Sequence, residues 1–183
     1  MIYFVIALKP EAQAFVDKYK LTKSKLGAFT LFCNEDIKLI ISGMGVDNAR
    51  IATQTLINNF DISDDDTYIN VGICGANKTY AIGQLVEIGT VVYENIPYTF
   101  HADKEMLTCT SHEITQSHDA LVDMESYGFY DAITHNPAIK RFHILKVVSD
   151  HFQPQLVTKD ASKSLIFNAI DAINNIIFNR NVS

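Results

Sequence analysis

Cysteine is scarce in this chain. Its 183 residues include three, Cys33, Cys74 and Cys109. An odd number without CxxC spacing argues against a disulfide framework and a cysteine zinc site, and points to free thiols in a reducing, cytoplasmic compartment. Each is expected to be a small buried hydrophobe. A basic excess is also missing. Lys and Arg total 15 against 21 Asp and Glu, for a net charge of −6 and a pI near 5.4. Nucleic-acid binders carry a basic footprint, so no nucleic-acid partner is expected. No apolar run is long enough to span a membrane. Ile2–Leu8 is short, without a basic leader or cleavage site, and reads as a buried strand. Leu165–Phe178 is broken by Asn168, Asp171, Asn174 and Asn175. It falls short of the roughly 20 apolar residues a spanning helix needs, so it reads as an amphipathic helix and no membrane partner is expected. Low-complexity tracts and internal repeats are absent. The 6 histidines form no i, i+4 pair and no HExxH, so no metal is expected. Ser111 and His112 are neighbours, but adjacency does not make a nucleophile–base pair, and no GxSxG elbow is present. Neither a P-loop nor a GxGxxG fingerprint occurs.

Apolar residues make up 48% of the chain and charged residues 20%, which suits a full core in one domain over 1–183. Pro10 opens a helix after the first strand, with Ala12, Phe15, Val16 and Tyr19 at helical spacing. Ala28–Cys33 and Ile37–Ser42 read as a hairpin around Asn34–Asp36. A helix from about Asp47 to Asn59 follows a glycine turn, with Ile51, Leu56, Ile57 and Phe60 as its expected buried stripe. Strands are expected at Thr67–Ile73, Leu85–Tyr93, Met106–Cys109, Leu121–Met124 and Phe142–Val148. A helix is expected at Ser126–Thr134. A last helix, capped by Asp160 or Ser162, runs to about Phe178. Helices alternating with continuous apolar strands predict an α/β fold of three layers, a mostly parallel central mixed sheet flanked by helices. The 8 tyrosines and 11 phenylalanines are expected in the core or at a dimer interface.

Ligands of such sheets bind at the carboxyl ends of strands. The polar residues there are Glu11, the Ser42–Gly45 turn, Gly72–Gly75 and Ser149–Asp150. A glycine turn before a helix can present N–H groups to an anion, or simply join strand to helix. Glu125, at a helix start, can serve the helix dipole or accept hydrogen bonds from sugar hydroxyls. Asp150, ending an apolar strand, can cap a turn or act as a proton donor with a raised pKa.

Several segments, in order, resemble the nucleoside phosphorylase superfamily. They look closest to the methylthioadenosine/S-adenosylhomocysteine nucleosidases and the purine nucleoside phosphorylases. IALKPEAQAF at 6–15 is similar to the opening strand and the helix with a catalytic glutamate. ISGMGVDNARIATQTLI at 41–57 resembles the SGIGK turn and its helix. INVGICGA at 69–76, AIGQLVEIGTVV at 81–92, VDMES at 122–126 and VVSDHF at 147–152 resemble four further motifs.

The resemblance implies the phosphorylase-like form of the fold and hydrolysis of the N-glycosidic bond of a purine nucleoside. Glu11 would be the base or water-orienting group, and Asp150 would protonate the purine N7 with Ser149 beside it. Glu125 would bind the ribose hydroxyls and Met124 would pack beside the ribose. Gly45, Ile73, Gly75 and Lys146 would complete the substrate site. The implied partners are a purine nucleoside or base and a second copy of the chain in a homodimer, with no cofactor. Phosphorylases hold phosphate with an arginine and a serine where Asn70 and Ile73 stand here. This favours hydrolysis over the alternative of a phosphorylase. Ile73 also replaces a serine of the nucleosidases, Lys146 an arginine and Gln84 an aspartate. Ile114 falls where an aromatic stacks on the base, and the segment before VDMES is shorter than in typical members. These departures motivate a second alternative, a degenerate protein that binds a nucleoside or base without turnover.

Overall fold

The computed structural model describes residues 1–116 and 118–178. Strand β1 (Ile2–Ile6) leads into helix α1 (Lys9–Tyr19). Strands β2 (Thr22–Leu26), β3 (Phe29–Cys33) and β4 (Ile37–Ile41) form an antiparallel meander that returns to pair with β1 in parallel. Helix α2 (Val46–Asn59) then crosses to β5 (Thr67–Ala76), which lies parallel to β1. Strands β6 (Leu85–Tyr93) and β7 (Ile96–Thr99) form a hairpin. Its Glu94–Asn95 turn has φ of 51° and 64°, as a two-residue type I′ connection requires. Strands β8 (Glu105–Cys109) and β9 (Leu121–Asp123), helix α3 (Ser126–Thr134), strand β10 (Phe142–Asp150) and helix α4 (Lys159–Phe178) follow.

Among the described residues ten strands form one sheet, and it is mixed rather than mostly parallel. Five of its ten pairings are antiparallel: β10 with β6, β2 with β3, β3 with β4, β5 with β9, and β6 with β7. Strand β10 pairs with both β5 and β6, while β9 joins β8 to the end of β5. The path β5–β10–β6–β8–β9 therefore closes into a five-stranded barrel-like core. The expectation of parallel strands rested on continuous apolar runs. Closure buries both faces of a strand as fully as flanking helices do, so the runs report burial and not direction.

Side chains alternate across the sheet into two cores. Tyr68, Cys74, Ile144 and Val148 join α2 and α3 residues such as Leu56 and Phe129 in one core. Ile69, Val71, Leu145 and Val147 join Phe15 of α1 and Ile166, Ile170 and Ile173 of α4 in the other. The crossing of α2 and α3 is tight: a Cβ placed on Gly128 would lie 1.9 Å from the Val46 carbonyl oxygen. That closeness explains a departure from the expected α2 stripe. Ala49, Ala52 and Thr53 face inward with Leu56 and Ile57, whereas Ile51 is exposed. Strand β2 carried no apolar signal because its first four residues, Thr-Lys-Ser-Lys, are exposed on the sheet's edge, where lysines discourage pairing with other chains. Thr158, not Asp160 or Ser162, caps α4: its Oγ1 accepts the Ala161 N–H at 3.1 Å. Cys33, Cys74 and Cys109 are free; the last two are buried and Cys33 is partly exposed.

Candidate active site

Strands β1, β4, β5 and β10 run parallel through β1 and β5, so their carboxyl ends meet at one edge. Strand β9 enters from the opposite direction, with Val122 beside Gly75. A cavity of about 140 Å³ opens there. Glu11, Ile73 and Gly75 line it from α1 and β5. Met124 and Glu125 line it from the β9–α3 junction, and Ser149 and Asp150 from the end of β10. Three acids remote in sequence thus converge on one hollow. Lys146 and Gly45 are not on its wall but directly support it.

Glu11 is 2% exposed. Its Oε2 accepts the Leu8 N–H at 2.9 Å, as the glutamate of a capping box does. Its Oε1 accepts the Ile73 N–H at 2.9 Å. Ile73 therefore meets Glu11 through its backbone, which any residue could supply. Burial pushes the Glu11 carboxyl above its usual range, opposed by these two N–H groups and Lys146.

Glu125 turns away from its own helix, and its Oε1 accepts the Gly45 N–H at 3.0 Å. Gly45 has a φ of 97°, a conformation favouring glycine. The anion received by this glycine turn is thus a carboxylate of the chain itself. Burial, then the neighbouring Asp123, pushes the Glu125 carboxyl up to about 7.

The dipole of α3 is served instead by Asp123, which stands in sequence only as one residue of the VDMES segment. Its Oδ2 accepts the Ser126 N–H at 3.0 Å and its Oδ1 accepts the Ser126 hydroxyl at 2.7 Å. The same Oδ2 lies 2.8 Å from Lys146 Nζ, in an ion pair buried on both sides. Burial alone would lower the Lys146 pKa, but Asp123, Glu125 and Glu11 together hold it above the usual lysine value. The signal in sequence was a lysine inside the apolar run Ile144–Val148, which needs a buried acid as partner.

Asp150 accepts the Ser149 hydroxyl on Oδ2 at 2.7 Å and the Gln153 N–H on Oδ1 at 2.7 Å. It therefore caps a turn, and it also borders the cavity. Ile114 is on the wall, together with His112 and Glu113. Phe152 is also there, quoted within a motif but given no role by the sequence. Gln84 lies outside the wall and closes its own turn, its Oε1 accepting the Ala81 N–H at 3.0 Å. Asn70 is buried in β5, where Nδ2 donates to the Val5 carbonyl at 3.0 Å. Among the described residues no group of three or more His, Cys, Asp or Glu is arranged to hold a metal ion, and no helix is long and apolar enough to cross a membrane.

No family model matches the sequence, and no curated protein matches it. Solved structures do match its fold. A 5′-methylthioadenosine/S-adenosylhomocysteine nucleosidase from Colwellia psychrerythraea, in complex with adenine, superposes with a TM-score of 0.79 at 17% identity, over 96% of this chain and 93% of that one. The 5′-methylthioadenosine nucleosidase of Arabidopsis thaliana gives 0.75 at 20% identity, over 98% and 96%. The futalosine hydrolase of Helicobacter pylori gives 0.72 at 12%, over 93% and 97%. The chain has the fold of the methylthioadenosine/S-adenosylhomocysteine nucleosidases, the architecture that its ordered motifs resemble.

Proposed function

We propose that this chain, one nucleoside-phosphorylase-like domain over 1–183, hydrolyses the N-glycosidic bond of a purine nucleoside of the methylthioadenosine or S-adenosylhomocysteine type. The observation that carries the reading is the convergence of Glu11, Glu125 and Asp150 on one cavity. Such bonds break through an oxocarbenium-like transition state. Three carboxyl groups, Glu11, Asp123 and Glu125, surround the single ammonium of Lys146, and this acidic excess favours a cationic sugar as it forms. Asp150 protonates the departing base, with the Ser149 hydroxyl fixing its carboxyl. Glu11, its pKa raised by burial, takes a proton from the attacking water. Glu125 accepts hydrogen bonds from the ribose hydroxyls and Met124 packs beside the sugar.

Water is favoured over phosphate as nucleophile on electrostatic grounds. The N–H groups of Leu8, Ile73 and Gly45, which would cradle an anion, already serve Glu11 and Glu125. A phosphate would have to displace buried carboxylates and then sit beside them. The reading includes a homodimer in the cytoplasm and requires no cofactor.

The test is product analysis with methylthioadenosine, S-adenosylhomocysteine, adenosine, inosine and futalosine, with and without phosphate. Free base should appear without phosphate. Asp150→Asn and Glu11→Gln should each slow release by about 10²-fold or more. Phosphate-dependent release would make the chain a phosphorylase. Binding without cleavage would make it a degenerate nucleoside or base binder. No release from any of the five substrates refutes the hydrolase reading.

A further inference from the structure

Among the described residues four non-glycine residues have positive φ, and three are in places that ask for it. Lys20 closes α1 in the left-handed conformation, and Glu94 and Asn95 form the β6–β7 turn. Phe152 is the fourth, with φ of 58°. A bulky aromatic there is a true outlier, costly unless something else repays it. Core packing does not: Phe152 belongs to neither hydrophobic core and is only partly buried.

The strap around it explains the conformation. Asp150 Oδ1 reaches across Phe152 to accept the Gln153 N–H at 2.7 Å, pinning the turn. The left-handed residue divides the strap between two hollows. Phe152 and Pro154 face the cavity described above, while His151, Gln153, Leu156 and Val157 face a second groove beside α4. The ring lies against β5, with Cδ1 3.3 Å from where a Cβ on Gly75 would stand, and Asp150 Oδ1 is 3.7 Å from the same point. An aromatic ring and a carboxyl group thus meet at one corner of the cavity. Ile114, an aliphatic residue, is also on its wall.

We propose that Phe152 is the platform on which the planar base of the ligand stacks, held ready in a left-handed turn by the Asp150 side chain. This rests on the reading of the cavity as a purine nucleoside site. Stacking on Phe152 places a ring nitrogen beside Asp150, so one turn supplies both the grip on the base and the group that protonates it.

Adenine binding by calorimetry is the test, with melting temperature as second readout. Replacing the ring, as in Phe152→Leu, should weaken adenine binding by roughly 5- to 150-fold, the range for removing one base-stacking aromatic. Phe152→Gly should weaken it as much while melting no lower than the wild type, because glycine relieves the left-handed strain. The chain has no tryptophan, so Phe152→Trp adds a single fluorophore that adenine should quench with affinity kept. Wild-type affinity in the Leu and Gly variants overturns the stacking role. A Gly variant that melts lower yet binds normally shows a merely structural residue. Failure of the wild type itself to bind adenine removes the purine-site reading, and this proposal with it.

Discussion

Glu125→Gln tests the electrostatics of the cavity with little change of shape. In the folded chain burial, then Asp123, raises the Glu125 carboxyl from an ordinary 4.5 to about 7, against the pull of Lys146 and the Gly45 N–H. Between those values the folded state holds a proton that the unfolded chain has released. Stability falls with rising pH wherever the folded state binds more protons. The Glu125 contribution is therefore harmless below about 4.5, is lost through the window, and reaches its full cost above about 7. At about 1.36 kcal/mol per pH unit, the window amounts to about 3 kcal/mol. Glutamine has no proton to lose and still accepts the Gly45 N–H. The pull of the Gly45 N–H is already contained in the value of about 7. The variant should thus match the wild type near pH 4.5 and exceed it by about 3 kcal/mol near pH 8.5. For a chain of this length that is a rise of roughly 6–12 °C in Tm. Urea unfolding at the two pH values measures it directly. A stability difference that is the same at both, or one that turns against the variant as pH rises, refutes the account of the buried acids.

Lys146→Met should cost about 3–5 kcal/mol at neutral pH, because it leaves Asp123 buried without its cation. Thermal melts should show the loss shrinking in acid, where Glu125 and Glu11, both pushed up by burial, take up protons and leave less negative charge beside the missing ammonium. Gly128→Ala places a methyl 1.9 Å from the Val46 carbonyl oxygen and should cost on the order of 3 kcal/mol by forcing α2 from α3. Because α2 begins beside Gly45, the same variant should weaken adenine binding, measurable by calorimetry alongside its Tm.

Much of the site was legible because chemistry at strand ends is local. Glu11 follows the first apolar strand, Glu125 begins a helix and Asp150 closes the last strand, so each stood out as a polar residue at an element boundary. Phe152 was not legible, since an aromatic after a strand reads as core and nothing in its neighbours announces a positive φ. Nor was the partner of Lys146. A lysine in an apolar strand demands an acid, but Asp123 lies 23 residues earlier, on a strand of three residues. Strand β2 was missed for the opposite reason, as an exposed edge needs no apolar periodicity.

Patterning by itself determined the helices and the apolar strands, though not the exposed strands β2 and β7, because propensity and hydrophobic period act over a few residues. Tertiary structure alone decided that β10 would bridge β5 and β6 and close the sheet, that Lys146 would answer three acids, and that two of those acids would take the backbone N–H groups an incoming anion would need. These outcomes depend on distances between residues far apart in the chain. Burial of both faces looks the same in sequence whether helices cover a sheet or the sheet closes on itself.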